Sequence, residues 1–228
     1  FYRLELYQKN FENLLTLKQD ALNSIEGISS DSTTANEFWD TKGNSWGAEV
    51  LIKKSSGRLN GWIGYTYAET QYFTEPSDWH YPNFDRTHTL NIVSSFEMTK
   101  DLEINAALTN SSGNPYTKIL GRAYDWKQNL NSNTFWYPLD SYIVGEKNTE
   151  RYDDYFRLDV GMIRKGGNLF GLEYDTFWQI MNVTRHLNIL NYSYRTATDP
   201  LNGNQLGVER RATPMFPLIF TFGVKFDF

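Results

Sequence analysis

The chain has 228 residues and a formal net charge of -5, a length that suits one large all-β domain or two small ones. The mild acidic balance, with no basic tract, argues against a nucleic-acid partner. Cysteine is absent, which leaves no disulfide framework and no thiolate metal site, and His80, His88 and His186 lie too far apart in sequence to suggest a zinc cluster.

Read in chain order, the sequence divides into about eight strands. Residues 1–17 form the first. Residues 11–25 also fit a short amphipathic helix (Phe11, Leu14, Leu15, Leu22, Ile25), but most of them read better as this strand running into a loop. The second covers 42–54. In the third, 58–72, Leu59, Ile63, Tyr65 and Tyr67 oppose Arg58, Asn60, Trp62 and Thr66. In the fourth, 84–98, Leu90, Ile92, Ser94, Phe96 and Met98 alternate with Thr89, Asn91, Val93, Ser95 and Glu97. The fifth, 102–112, sets Leu102, Ile104, Ala106 and Leu108 against Glu103, Asn105, Ala107 and Thr109. The sixth, 152–165, sets Leu158, Val160 and Met162 against Arg157, Asp159 and Gly161, and the seventh, 169–183, sets Phe170, Leu172, Tyr174 and Ile180 against Glu173, Asp175 and Gln179. The last, 216–228, is the clearest: Leu218, Phe220, Phe222, Val224, Phe226 and Phe228 share one parity, and Ile219, Thr221, Gly223, Lys225 and Asp227 the other.

A strict period of two gives each strand one apolar and one polar face. A polar face repeated on every strand suits a wet lumen better than a dry core, and an apolar face rich in Phe suits lipid better than water. The 15 Tyr, 15 Phe and 7 Trp fit the aromatic girdles of such a barrel. No apolar run reaches the roughly 18 residues of a membrane-spanning helix. Connections alternate in length as well. Ser55-Ser56-Gly57, Thr99-Lys100-Asp101 and Gly166-Gly167-Asn168 read as tight turns, and 18–41, 73–83, 113–150 and 185–215 as long polar loops. The expected fold is therefore an antiparallel transmembrane β-barrel segment, with short turns in the periplasm, long loops outside the cell and the C-terminus periplasmic. The start at Phe1, with neither Met nor signal peptide, leads us to expect one slice, 1–228, of a longer exported chain.

The order of motifs resembles the C-terminal part of TonB-dependent outer-membrane receptors, particularly the Bacteroidetes type. The matching runs are Gly43–Lys54 (GNSWGAEVLIKK), Gly57–Thr70 (GRLNGWIGYTYAET), Phe84–Ile92 (FDRTHTLNI), Ser112–Thr117 (SGNPYT), Tyr155–Gly161 (YFRLDVG) and Ile180–Asn182 (IMN), followed by the Phe-rich closing strand. The terminal Phe228 resembles the signature by which bacterial outer-membrane barrels are recognised for assembly. The resemblance implies about eight strands of a barrel of about 22, with an N-terminal plug domain and the earlier strands outside this chain. It implies active import of a scarce large solute (siderophore-iron, haem, cobalamin, an oligosaccharide or a peptide) with energy from TonB. Its partners would be outer-membrane lipids, TonB through the N-terminal part, the protein's own plug and, in some systems, a surface lipoprotein. It implies no cofactor, no metal and no enzymatic step.

Candidate contacts fall into two groups. Glu49, Arg86, Arg157 and Asp159 are expected to face the lumen and meet the plug or each other. The loops supply aromatics and cations suited to stacking on a ligand and pairing with its acids: Trp79, His80 and Tyr81 in one, and Arg122, Tyr124, Trp126, Lys127, Trp136, Tyr137 and Tyr142 in the longest. The plainer reading of both is loop packing or an interfacial girdle. Arg210-Arg211 beside Glu209 reads as a solvated loop. As parts for an enzyme, Asp85 with His88 and Asp153 with Asp154 are badly spaced, because each pair points to opposite faces of a strand. Two rivals keep the membrane: a complete small barrel acting as adhesin, anchor or enzyme, and a non-transporting barrel within a larger complex. A soluble β-sandwich is the third.

Overall fold

Alternation of apolar and polar residues builds one long meander in the structure, a computed structural model that describes residues 1–17, 38–74, 79–128, 136–198, 201 and 205–227. Its strands are β1 (Tyr2–Leu17), β2 (Phe38–Lys54), β3 (Leu59–Thr74), β4 (Trp79–His80), β5 (His88–Glu97), β6 (Leu102–Ser111), β7 (Pro115–Tyr116), β8 (Ile119–Gln128), β9 (Trp136–Val144), β10 (Glu150–Arg151), β11 (Tyr155–Leu169), β12 (Leu172–Met181), β13 (Ile189–Thr198), β14 (Gln205–Pro214) and β15 (Ile219–Asp227). No helix occurs among the described residues. The main sheet runs β1-β2-β3-β5-β6-β11-β12-β15, with β4 added to the end of β3. Every pairing is antiparallel. These are the eight strands expected from the sequence, each joined to its neighbour in that order.

Register carries the alternation across the sheet. One cross-strand row reads Ile52–Ile63–Ile92–Leu108–Leu158, and the second row beyond it on the same face reads Leu59–Phe96–Ile104–Met162–Trp178–Phe222. The opposite face carries Glu49–Thr66–Thr89–Ser111–Tyr155. Partners directly opposite in a ladder share a face, so one face of the sheet is apolar and the other largely polar. Nothing in the described residues covers the apolar face. Leu4 is 67% exposed, Ile52 54% and Phe222 56%, and among the described residues the single buried hydrophobic side chain is Tyr116, which lies among the loops. A packed apolar core, the mark of a soluble sandwich, is therefore missing from the described residues.

The sheet is open. β1 and β15 stand at opposite edges and each pairs on one side only, so the described strands do not close into a barrel. Short connections gather at one end: 55–58 between β2 and β3, 98–101 between β5 and β6, and 170–171 between β11 and β12. The third turn lies beyond its expected place at 166–168. Phe170 and Gly171 both have positive φ, 56° and 87°, the conformation of a two-residue turn that suits strand twist. Gly166 (φ 77°) instead sits where the β11–β12 register shifts, a bulge of the kind glycine permits. The neighbouring Gly167 lies under the ring of Tyr174, where a Cβ would come within 2.3 Å of ring carbon.

Long connections leave the other end, and they hold more structure than polar loops were expected to. β8–β9 and β13–β14 are hairpins, and β7–β10 is a short clasp. Of the first loop, expected at 18–41, residues 38–41 belong to β2 instead and residues 18–37 lie outside the described residues.

Candidate functional site

At the loop end of the sheet, polar side chains tie the connections together before they project further. Asp85, in the turn before β5, is 3% exposed. Its Oδ2 pairs with the Arg151 guanidinium at 2.5 Å, and its Oδ1 accepts the Thr70 backbone N–H at 2.8 Å. Arg151 also donates to the Gly113 carbonyl at 3.1 Å and stacks over the Tyr81 ring at 4.8 Å. Asn148, at a positive φ of 55° that asparagine tolerates, donates to the Tyr81 carbonyl at 2.6 Å and to Asn83 Oδ1 at 2.7 Å. Gly113 is obligatory here, because a Cβ would meet the Tyr152 carbonyl oxygen at 1.7 Å. Two connections far apart in sequence thus become one rim.

A second junction couples the 112–154 connection to the β13–β14 hairpin. Tyr116, Tyr152 and Tyr192 form a triangle with ring centroids 4.7–5.2 Å apart. Arg210 lies over Tyr192 at 4.2 Å and donates to the Tyr116 hydroxyl at 2.8 Å. Burial raises the Tyr116 phenol above its ordinary value, against the opposing pull of Arg210, and burial likewise raises Tyr152. Arg210 had read as part of a solvated loop; it is a cation buttressed by two rings. In the hairpin it stands opposite Tyr194, whose buried hydroxyl has no hydrogen-bond partner among the described residues. The alternation Tyr192-x-Tyr194 was the available signal, but it points to Arg210 only once the hairpin register is known.

The predicted lumen group separates. Arg157 and Asp159 pair with each other on the polar face, in a two-pronged contact of 2.8 and 2.5 Å, and Asp159 also accepts the Asn182 N–H at 2.9 Å. Glu49 shares that face, opposite Glu5 and Thr66. Arg86 lies just before β5 rather than within a strand, and it donates to Asn114 Oδ1 and Ser111 Oγ in the rim.

Of the predicted loop aromatics, Trp79 packs on Phe73 (5.5 Å) and is 55% exposed, His80 is buried edge-on to Tyr72 (6.2 Å), and Tyr81 belongs to the rim just described. Arg122, Tyr124, Trp126, Lys127, Trp136 and Tyr137 share the β8–β9 hairpin, with Trp126 opposite Pro138 and Trp136 opposite Gln128. Their side chains lie outside the described residues. Tyr142, on the same hairpin, is exposed.

The residues weighed for catalysis do not converge. Asp85 is committed to Arg151, whereas His88 Nδ1 meets the Tyr65 hydroxyl at 2.8 Å, and Asp154 accepts the Gly113 N–H at 3.3 Å. No group of three metal-ligating side chains occurs among the described residues. Compared with known protein families, with curated proteins and with solved structures, the chain matches none.

Proposed function

We propose that this chain is the C-terminal part of the barrel of a TonB-dependent outer-membrane importer, with lipid against the apolar face and a wet, plugged lumen against the polar one. One observation carries the reading: an eight-strand antiparallel meander whose apolar face the described residues leave uncovered while the opposite face holds the Arg157–Asp159 pair. Water would penalise so large an apolar surface, and lipid does not. The short-turn and long-loop ends support the orientation, with turns in the periplasm and loops outside. The order of motifs supports the family. In this reading the rim around Asp85 holds the outer loops, and the β8–β9 hairpin, with Arg122, Tyr124, Trp126, Trp136 and Tyr137, meets the solute together with Trp79.

The unpaired edges of β1 and β15 favour a larger barrel over a closed eight-strand one, since open edges are not tolerated in hydrocarbon. The test is made in the cell, with the full-length protein. Membrane fractionation should recover it from the outer membrane. Deleting its gene, or TonB, should abolish growth on the same scarce solute, screened among ferric siderophores, haem, cobalamin, oligosaccharides and peptides. Recovery in the soluble fraction, or uptake that survives loss of TonB, would sink the proposal.

A further inference from the structure

Charge is sorted between the two faces at the short-turn end. On the apolar face, the strands bring down Lys54 and Arg164, both exposed, to the edge of the apolar rows. The Arg58 guanidinium joins them, lying over the Phe96 ring at 5.6 Å. The nearest carboxylates in the ladders, Glu97 and Glu103, belong to the polar face, where Glu103 pairs with Lys165 at 3.4 Å. No ion pair neutralises Lys54 or Arg58 among the described residues.

Lys54 lines a depression, and Arg58 lies over Phe96, the ladder partner of its wall residue Leu59. Next to Lys54, the cross-strand row runs Gly61–Ser94–Ala106, small residues between two ridges of large ones. The result is a groove of about 190 Å³, walled by Ile52, Ile63, Ile92 and Leu59, floored by Gly61 and Ser94, with Lys54 at its mouth. Gly61 cannot be replaced without moving β5, because a Cβ there would meet the Val93 carbonyl oxygen at 2.2 Å. Both cationic heads are pre-positioned. Lys54 Nζ donates to the Leu59 carbonyl at 2.8 Å, and Arg58 donates to the carbonyls of Glu97 and Met98. An ammonium has three donors and a guanidinium five, so both heads keep N–H groups for an anion.

We propose that this corner binds one anionic phospholipid, its phosphate between Lys54 and Arg58 and one acyl chain in the groove over Gly61 and Ser94. The inference rests on the lipid-facing reading of the apolar face. An anionic lipid is the occupant that satisfies both halves at once: the groove is apolar, and Lys54 at its mouth and Arg58 beside it carry positive charge that no ion pair neutralises among the described residues. A cation close to a membrane surface favours anionic over neutral lipid by roughly five-fold, and a guanidinium adds the forked geometry that suits phosphate.

The test uses the full-length protein in detergent, titrated with dioleoyl phosphatidylglycerol or dioleoyl phosphatidylcholine, with bound lipid counted by native mass spectrometry. The wild type should hold one phosphatidylglycerol at least five-fold more tightly than phosphatidylcholine. Lys54→Gln should lower the phosphatidylglycerol affinity roughly five-fold and leave phosphatidylcholine unchanged, and Lys54→Arg should restore it. Ser94→Leu, which fills the groove and keeps every charge, should weaken both lipids. Equal affinities in the wild type, no effect of Lys54→Gln, or displacement of the lipid by inorganic phosphate at equal concentration would each overturn the site. Flotation with phosphatidylcholine vesicles separates the two levels: protein that floats but shows no headgroup preference overturns the lipid site alone, whereas protein that does not float overturns the lipid-facing reading beneath it.

Discussion

Replacing Phe222 by Arg tests the assignment of faces most directly. Phe222 stands near the middle of β15 on the apolar face, opposite Trp178, with the two rings 5.9 Å apart. With 56% of it exposed, little protein surrounds it, so the substitution reports on what lies outside the sheet. An arginine on the lipid side near the bilayer centre costs about 2–4 kcal/mol, and loss of the edge-on contact with Trp178 adds up to about 1 kcal/mol. The expected loss of stability is therefore about 2–5 kcal/mol, roughly thirty- to several-thousand-fold in the folding equilibrium. Thr221→Arg, one residue away, points to the polar face opposite Gln179 and should cost no more than about 1 kcal/mol. Denaturant titration of the full-length protein in phosphatidylcholine vesicles, followed by tryptophan fluorescence, measures both. Phe222→Leu is the control for lost ring contact without charge. If the two arginine variants lose the same stability, the apolar face does not meet lipid and the reasoning fails.

Asp85→Ala strips the rim of its buried carboxylate, leaving Arg151 without its counter-charge and the Thr70 N–H without its acceptor. It should cost about 2–4 kcal/mol by thermal unfolding, less than a fully buried pair because Arg151 keeps some water; a loss under about 1 kcal/mol would show that the rim does not hold the loops. Arg210→Gln should cost about 1 kcal/mol and open the β13–β14 hairpin to protease, while Arg211→Gln should do neither. Because folding raises the phenols of Tyr116 and Tyr152, their contribution is fully present below the ordinary tyrosine value of about 10 and is lost as pH rises beyond it. Protease sensitivity of the hairpin should thus rise only in strong alkali, and sensitivity appearing near neutrality would contradict this. Excising residues 119–144 is geometrically mild, since the Gly145 N–H already bonds the Lys118 carbonyl at 2.8 Å. The full-length protein should assemble normally and bind its solute ten-fold more weakly or worse, if two aromatic contacts of about 1 kcal/mol each are lost; unchanged binding would remove this hairpin from the site.

The eight strands were legible because each carries its own signal: period-two alternation belongs to a single strand and needs no partner to be seen. Their order followed from the meander, in which neighbours in the chain are neighbours in the sheet. Sequence reading failed where a signal is shared by two remote segments. Asp85 and Arg151 are 66 residues apart, and nothing local to either announces the pair. The β8–β9 and β13–β14 hairpins were read as plain loops because they leave the sheet and need no continuous apolar face. The turn at Phe170–Gly171 was misplaced for a different reason. Gly166-Gly167-Asn168 has the composition of a turn, but the strand continues through it, with the bulge at Gly166 and Tyr174 folded over Gly167. A non-glycine residue at positive φ, Phe170, is a position that composition rules tend to overlook.

The directions of the edge strands limit how the sheet can be completed. β1 begins beside the 55–58 turn, since Tyr2 lies opposite Ile52, and runs toward the loop end. β15 finishes beside the 170–171 turn, with Asp227 opposite Glu173, and so runs toward the short-turn end. If lipid surrounds the sheet, the free N–H and C=O groups along both edges must find partners, because each one left bare in hydrocarbon costs several kcal/mol. A strand laid antiparallel on β15 must run toward the loops, and one laid antiparallel on β1 must run away from them. Any inserted antiparallel series that starts in the first direction and ends in the second contains an even number of strands. Adding about fourteen would reach the roughly 22 of the large importers and satisfies this condition; an odd number would force one parallel pair. The parity arises from the register of this chain alone, independently of the motifs. Cross-linking tests it: in the full-length protein, a cysteine at Leu4 should capture a strand other than β15, and a disulfide from Leu4 to Phe222 would contradict the enlarged barrel.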